Sequence, residues 1–153
     1  MKTDNDFMQF ALDGALWAYD DCGRVGAVIV QKGRIISFAG SDIRDGTHAE
    51  YTALLSVGWV GTGTHKPDST IYVTYQPCLK RSNPKKISCS QYLIDSGIER
   101  VVYGAVDPNF NQWEAEAYLR NNGIHVSQIP DVQLQEECKK LFNDSFLPGT
   151  LPR

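Results

Sequence analysis

Three short segments of the 153-residue chain carry side chains that can bind a metal ion or move protons. These segments are His48-Ala49-Glu50, Pro77-Cys78 and Cys89. One imidazole and two thiolates suit Zn²⁺, and three protein ligands leave one position of a tetrahedral zinc open for water. A structural zinc site would need a fourth protein ligand, and the neighbouring sequence offers no obvious one. The pattern therefore predicts a catalytic zinc site held by His48, Cys78 and Cys89.

Glu50 is the predicted proton carrier of this site. On a regular helix it would lie roughly 200° around the axis from His48, which makes it a poor second ligand from the same face. At a helix start, its carboxylate can instead reach a zinc-bound water, whose pKa the metal lowers toward 7, and pass protons to a leaving amine. Cys89 is predicted to begin a helix, where the helix dipole favours the thiolate.

The elements that must position these residues alternate between helices and strands. Their periodicity predicts helices over 4–20, 48–58, 89–96, 112–122 and 131–146, and strands over 25–30, 35–38, 69–75, 99–104 and 124–126. This order predicts one α/β domain over residues 1–153, with a mixed, mostly parallel five-stranded sheet. Asp107 and Asn109 follow a strand end, the edge where open α/β sheets bind ligands, so they are candidate substrate contacts as well as ordinary turn formers.

Composition and charge exclude several classes of protein. Apolar residues make up 42% of the chain and charged residues 22%, which is typical of a globular domain. The net charge of −3 does not favour non-specific nucleic-acid binding. No stretch approaches the roughly 20 apolar residues of a membrane span, and the polar N-terminus does not resemble a secretory signal. We therefore expect a cytoplasmic protein, in which the cysteines do not form a disulfide framework and Cys138, on an apolar helix face, is structural.

The metal-binding segments belong to a longer resemblance to known proteins. It runs through Val25–Val30, Gly46–Glu50, Ile71–Cys78, Cys89 with Gly97 and Ile98, Arg100–Gly104, Asp107–Asn109 and Gly123–Val126. In this order the chain resembles the cytidine/deoxycytidylate deaminase superfamily, and most of all its riboflavin-pathway pyrimidine deaminases. The resemblance implies a three-layer α/β/α cytidine-deaminase-like fold, a bound Zn²⁺ and Glu50 as general acid/base rather than ligand. It also implies a homodimer or homotetramer that completes the site across an interface.

The chain departs from that family at several positions. Ten residues (79–88) separate Cys78 from Cys89, where the superfamily usually has two, although the riboflavin-pathway enzymes also carry a long insert. Gln76 stands where those enzymes usually have Glu, and Cys22-Gly23-Arg24 replaces their Asn-Pro pair. No reductase domain follows, which predicts a stand-alone deaminase.

The insert between the two cysteines carries four of the fifteen cationic residues of the chain: Lys80, Arg81, Lys85 and Lys86. Such a run is often a solvated face, but beside a metal site in an acidic chain it also suits a clamp for phosphate or another anion. We therefore predict zinc-dependent hydrolytic deamination of an aminated pyrimidine, with a phosphorylated riboflavin-pathway diaminopyrimidine as first choice. Thr47 and Asn83 are further candidates for hydrogen bonds to the substrate, and Phe110 and Trp113 for stacking or interface contacts.

Two other classes of function remain open at the level of sequence. Within enzymes, the alternative is a deaminase of cytosine, cytidine, deoxycytidylate or a nucleoside-like metabolite, with polynucleotide editing a weaker alternative. Outside enzymes, the alternative is a structural zinc or interaction module. That module would require a fourth protein ligand, for which Cys22 is the candidate.

Overall fold

A computed structural model describes residues 2–16, 23–42, 48–81 and 83–144, which contain five helices and five strands. The helices are α1 (Asp4–Leu16), α2 (Ala49–Ser56), α3 (Cys89–Ser96), α4 (Gln112–Asn121) and α5 (Val132–Asp144). The strands are β1 (Gly26–Gln31), β2 (Arg34–Gly40), β3 (Lys66–Tyr75), β4 (Ile98–Ala105) and β5 (His125–Gln128). Each predicted element is present. Cys22, Thr47 and the far ends of the helices predicted over 4–20 and 131–146 lie outside the described residues.

The strands form one mixed sheet in the order β2-β1-β3-β4-β5. Strand β1 pairs antiparallel with both β2 and β3, whereas β3, β4 and β5 pair in parallel. The parallel pairs are thus confined to the second half of the sheet, where helices connect the strands. Because β1 alone runs in the opposite direction, β2, β3 and β4 end at the same edge. The chain therefore enters α2, the Pro77-Cys78 segment and the segment of Asp107 from that edge.

Two apolar cores, one on each face of the sheet, complete a three-layer α/β/α arrangement. Helices α2, α3 and α4 cover one face, where Ala53, Leu54 and Leu93 pack against the sheet. Helices α1 and α5 cover the other face, and Cys138 lies in this second core. None of the helices in the described ranges has the length and apolar character needed to cross a membrane.

Strand β1 packs closely against α1 at Gly26. A Cβ atom at that position would collide with the carbonyl oxygen of Ala11, so the strand can pack there only because it lacks a side chain. The amide N–H of Gly26 donates to Oγ1 of Thr74 (3.1 Å), near the end of β3. These contacts fix the first hairpin against the strand that leads to Cys78.

Candidate active site

His48, Cys78 and Cys89 converge at the edge where the strands end. His48 is the N-cap residue of α2, Cys78 lies three positions beyond the end of β3, and Cys89 is the first residue of α3. Their nitrogen and sulfur atoms all lie within 4.8 Å of one another. Nδ1 of His48 is 3.1 Å from Sγ of Cys89 and 3.9 Å from Sγ of Cys78. The fold therefore brings three segments that are distant in sequence to one point.

The spacing of these three donors fits a zinc ion. With Zn–S bonds of about 2.3 Å and Zn–N bonds of about 2.0 Å, tetrahedral ligand atoms lie about 3.5 to 3.8 Å apart. The nitrogen–sulfur distances of 3.1 and 3.9 Å lie on either side of this spacing. No other His, Cys, Asp or Glu of the described residues joins the group. Cys22, which the structural-zinc alternative requires, lies outside them.

The N-terminus of α3 holds Cys78 in place. The N–H of Cys89 donates to Sγ of Cys78 (3.3 Å), and the N–H of Ser90 donates to the Cys78 carbonyl oxygen (3.2 Å). The next N–H, that of Gln91, is capped by Oγ of Ser88 (3.1 Å). We expected the helix end to stabilise the thiolate of Cys89, but the sulfur that receives the helix N–H belongs to Cys78. Cys89 begins α3 as predicted, and stabilisation of its thiolate by the helix dipole stays a prediction.

The two thiols have opposite proton affinities in this arrangement. A hydrogen bond from the Cys89 thiol, supported by the His48 ring and the Cys89 N–H, lowers the pKa of Cys78 to about 4, although burial opposes this. The same hydrogen bond, together with burial, raises the pKa of Cys89. The hydrogen bond with Cys78 also raises the pKa of His48. Cys78 is therefore the thiolate of the pair, and a cation between the sulfurs would favour ionisation of both.

Glu50 reaches the same cluster from the second position of α2. Its side chain is buried (4% exposed), and its charge and that of the His48, Cys78 and Cys89 cluster influence one another. His48 has an extended backbone (φ −84°, ψ 153°), so the angular separation expected on a regular helix does not apply to this pair. Burial raises the pKa of Glu50, while the nearby His48 lowers it. A buried carboxyl with a raised pKa is suited to accept a proton and release it again near neutral pH.

The four cationic residues of the insert are not equivalent. Lys80, Lys85 and Lys86 are exposed, whereas Arg81 is half-buried. The hydrogen bond with Cys78 raises the pKa of both His48 and Cys89, and the positive charge of Arg81 opposes both rises as a small contribution, which indicates that Arg81 interacts electrostatically with the cluster. The structure thus associates Arg81 with the site and leaves the three lysines at the surface.

The polar residues after β4 form a turn. Asp107 is buried, and its Oδ1 accepts the N–H of Asn109 (2.9 Å) while its carbonyl oxygen accepts the N–H of Phe110 (3.3 Å). The Asn109 side chain is exposed. Asn83 has a similar turn-forming role in the insert, where its side-chain oxygen accepts the N–H of Lys85 (3.0 Å). Asp107 therefore shapes this edge of the sheet, and Asn109 projects from it.

Gln76 is a residue of this region that our sequence analysis did not assign to the site. It lies between the end of β3 and Cys78, is 4% exposed, and forms side-chain hydrogen bonds to the segment after β4. One signal in the sequence could have indicated this role. Gln76 is a polar residue between a buried strand and the predicted metal-binding Cys78, and a buried amide requires hydrogen-bond partners.

A three-layer α/β/α sandwich that brings one His, two Cys and a buried Glu to its strand ends defines a cytidine-deaminase-like domain. The family model for the cytidine and deoxycytidylate deaminase zinc-binding region matches residues 1–105. The chain belongs to this family. The predicted resemblance and fold class are therefore confirmed.

Named relatives narrow the comparison to the riboflavin pathway. The chain is 36% identical over 125 residues to riboflavin biosynthesis protein RibD of Aquifex aeolicus, covering 80% of this chain and 32% of that protein. It is 35% identical over 123 residues to diaminohydroxyphosphoribosylamino-pyrimidine deaminase of Buchnera aphidicola, covering 80% of this chain and 76% of that protein.

A solved structure is similar to this chain in both sequence and fold. The deaminase/reductase of Thermotoga maritima is 34% identical, with a TM-score of 0.69, covering 90% of this chain and 38% of that one. The chain thus spans about a third of the length of several relatives that it matches.

Proposed function

We propose that this protein is a zinc-dependent hydrolytic deaminase that replaces an amino group on a pyrimidine-type ring with a carbonyl group and releases ammonia. The proposal rests on one observation: three candidate zinc ligands converge beside a buried carboxyl, that of Glu50, which is not one of the candidate ligands. The reaction adds water to a ring carbon and expels ammonia, so one group must take a proton from water and deliver it to nitrogen. Glu50 is placed for that task.

The protein's own groups divide the work of this reaction. His48, Cys78 and Cys89 would hold a zinc ion, which when bound would supply a Lewis acid that makes water nucleophilic near neutral pH. Glu50 transfers both protons of the attacking water in turn: the first goes to the ring nitrogen beside the attacked carbon, and the second, from the new hydroxyl, goes to the amino group, which leaves as ammonia while the carbonyl forms. Burial keeps bulk water away from the Glu50 carboxyl, so the proton that it holds goes to the substrate rather than to solvent.

For the substrate we propose a phosphorylated diaminopyrimidine. The named relatives include a diaminohydroxyphosphoribosylamino-pyrimidine deaminase, and Arg81 provides a cation beside the cluster that can bind a phosphate bidentately. The exposed Lys80, Lys85 and Lys86 can raise the local concentration of an anionic substrate without touching it. Asn109 is a proposed contact for the ring or the sugar.

A substrate panel tests this assignment. Ammonia release is measured with the phosphoribosylated diaminopyrimidine, its dephosphorylated form, cytidine and deoxycytidylate. We expect the highest kcat/KM for the phosphorylated diaminopyrimidine. Preferential turnover of deoxycytidylate or cytidine would contradict the proposed substrate but agree with the proposed deamination reaction. Release of no ammonia from any compound by a chain that carries one zinc would contradict the deaminase function.

Replacing Arg81 with Ala is expected to weaken binding of the phosphorylated substrate selectively. A charge-assisted hydrogen bond contributes about 1.5–3 kcal/mol, so KM should rise by about 10- to 100-fold for the phosphorylated compound. KM for the dephosphorylated compound should change by less than about threefold, since the same bond is absent there. Steady-state kinetics with both compounds measure this, with Arg34→Ala, an exposed arginine at the start of β2, as the matched control. An equal rise in KM for both compounds would show that Arg81 supports the fold rather than the phosphate.

We also propose that the chain forms a homodimer or homotetramer. Large apolar side chains are exposed on it, among them Phe38 (47%) and Trp113 (67%). Contact with a second copy would remove such surface from water. Light scattering on the purified chain measures the assembly, and a monomer at micromolar concentration would contradict the proposal.

A further inference from the structure

Gln76 occupies the junction between the sheet and the metal-binding segment. It directly follows β3 and precedes Pro77 and Cys78, so its backbone is two residues from a zinc donor. Its main-chain N–H donates to the carbonyl oxygen of Ala105 (2.8 Å), which extends the β3–β4 pairing beyond the last strand residue. The backbone of Gln76 therefore belongs to the sheet, and its buried side chain forms hydrogen bonds of its own.

The side chain of Gln76 binds both ends of the segment that connects β4 to α4. We refer to this segment, residues 106–111, as the strand-end loop. The amide nitrogen of Gln76 donates to the carbonyl oxygen of Gln112 (3.1 Å), the first residue of α4. The amide oxygen accepts the N–H of Asp107 (3.4 Å), at the beginning of the loop. One side chain thus connects the Cys78 segment to both ends of the loop.

The strand-end loop is bonded internally as well as to Gln76. Asp107 accepts the N–H groups of Asn109 and Phe110, and the side chain of Asn111 caps α4 by accepting the N–H groups of Trp113 (3.0 Å) and Glu114 (3.1 Å). These internal bonds define the shape of the loop. Gln76 supplies two side-chain bonds between the Cys78 segment and this region, one to Asp107 and one to the first residue of α4.

A neutral amide offers both the donor and the acceptor that the partners of Gln76 use. The Gln112 carbonyl oxygen receives the amide N–H of Gln76 in addition to its place at the start of α4, and the Asp107 N–H needs an acceptor. A carboxylate at position 76 would place an acceptor against the Gln112 carbonyl oxygen in a buried setting, and an apolar side chain would leave the buried Asp107 N–H without its partner. The residue type at this position therefore matches the two groups that face it.

We infer that Gln76 is a positioning residue that sets the strand-end loop against the zinc-binding segment, and so sets the substrate ring against Glu50. The inference rests on the proposed function, because it assigns Asn109 of the loop a contact with the substrate. Without the two hydrogen bonds of Gln76, the side chains of the strand-end loop are the same, but their positions relative to the reacting groups change. A shift of about 1 Å in such a site can lower the rate about 100-fold.

The test compares the full-length wild-type chain with Gln76→Met and Gln76→Asn. Methionine keeps the shape but makes neither bond. Asparagine keeps a polar amide but is too short to reach both partners at once, which guards against a folding failure of the apolar variant. Gln135→Met is the matched control, because Gln135 is a half-buried glutamine whose amide also donates to a main-chain carbonyl, that of Ile129 (2.6 Å), on the other face of the sheet. Zinc content, kcat, KM and amide hydrogen exchange are measured for each protein.

Both Gln76 variants are expected to keep one zinc per chain, to lose about 10- to 100-fold in kcat with a smaller change in KM, and to exchange the amides of residues 106–111 about tenfold faster. The Gln135 variant should match wild type in all of these. Unchanged exchange in the loop, or unchanged kcat with faster exchange, would overturn the inference. If wild type deaminates nothing in the pyrimidine panel, the proposed function fails, while the exchange of residues 106–111 still decides whether Gln76 positions the loop.

Discussion

Glu50→Gln is expected to retain one zinc per chain and to lose about 10²- to 10⁴-fold in kcat. The amide has the shape of the carboxyl but cannot accept a proton and return it, so the variant removes the proton transfer alone. Zinc content should not change, because the cluster of donor atoms consists of His48, Cys78 and Cys89. Ammonia release under saturating substrate and elemental mass spectrometry of the same sample measure the two quantities.

The matched control for this variant is Glu116→Gln. Glu116 is a second buried glutamate, 5% exposed, but its partners are the Tyr103 hydroxyl and the Arg120 guanidinium in the layer between α4 and the sheet. We expect Glu116→Gln to lower the free energy of unfolding, because the buried hydrogen bonds to a charged group become weaker, and to leave kcat within about threefold of wild type. Near-normal turnover of Glu50→Gln would remove Glu50 from the mechanism, since no change in folding could then be masking its role.

The sequence predicted the elements best where local signals mark their ends. The helix over 89–96 agrees with α3 at both ends, because Ser88 caps its first turn and Gly97 ends it in a left-handed conformation (φ 79°). Strand β3 instead begins at Lys66, three residues before the predicted start at Ser69. Lys66 pairs with Ile98 of β4, and a pairing between distant segments leaves no local pattern in a polar stretch.

The site also combines features that local sequence signals predict with features that depend on contacts between distant segments. His48, Cys78 and Cys89 were predictable as a group because each lies at the end of an element that reaches the same edge of the sheet. Other properties depend on side-chain contacts across the fold. The sequence could not show that the Cys89 N–H points at the Cys78 sulfur, or that Arg81 is half-buried while the three lysines of the insert are exposed. Such contacts are set by how the helices and loops pack, which residue spacing does not encode.

Non-local contacts also explain why the sequence alone did not indicate a role for Gln76 in the site. Its partners are main-chain atoms of Asp107 and Gln112, and backbone groups are present at every position whatever the side chain. A pattern search over residue types therefore finds catalytic side chains more readily than the residues that hold the backbone around them.

Replacing both Cys78 and Cys89 with Ser is expected to remove zinc and turnover together. A serine hydroxyl does not ionise near neutral pH, so the site would retain only the His48 imidazole as a strong donor. Zinc should fall from about one per chain to less than about a tenth, as measured by elemental mass spectrometry after dialysis. Cys138→Ala is the control: this thiol is buried in the core beneath α5, so its loss should lower stability by about 1–2 kcal/mol and leave zinc in place.

The double variant and Glu50→Gln together separate two roles that a single loss of activity would confuse. If the assignment is correct, one variant lacks metal and turnover, and the other lacks turnover alone. Full zinc content in the Cys78/Cys89 double variant would mean that the metal binds elsewhere and that the cluster at the strand ends is not the zinc site. Zinc loss in Glu50→Gln would instead make Glu50 a ligand. That result would leave no open coordination position for water, and a structural zinc site would then explain the chain better than a catalytic one.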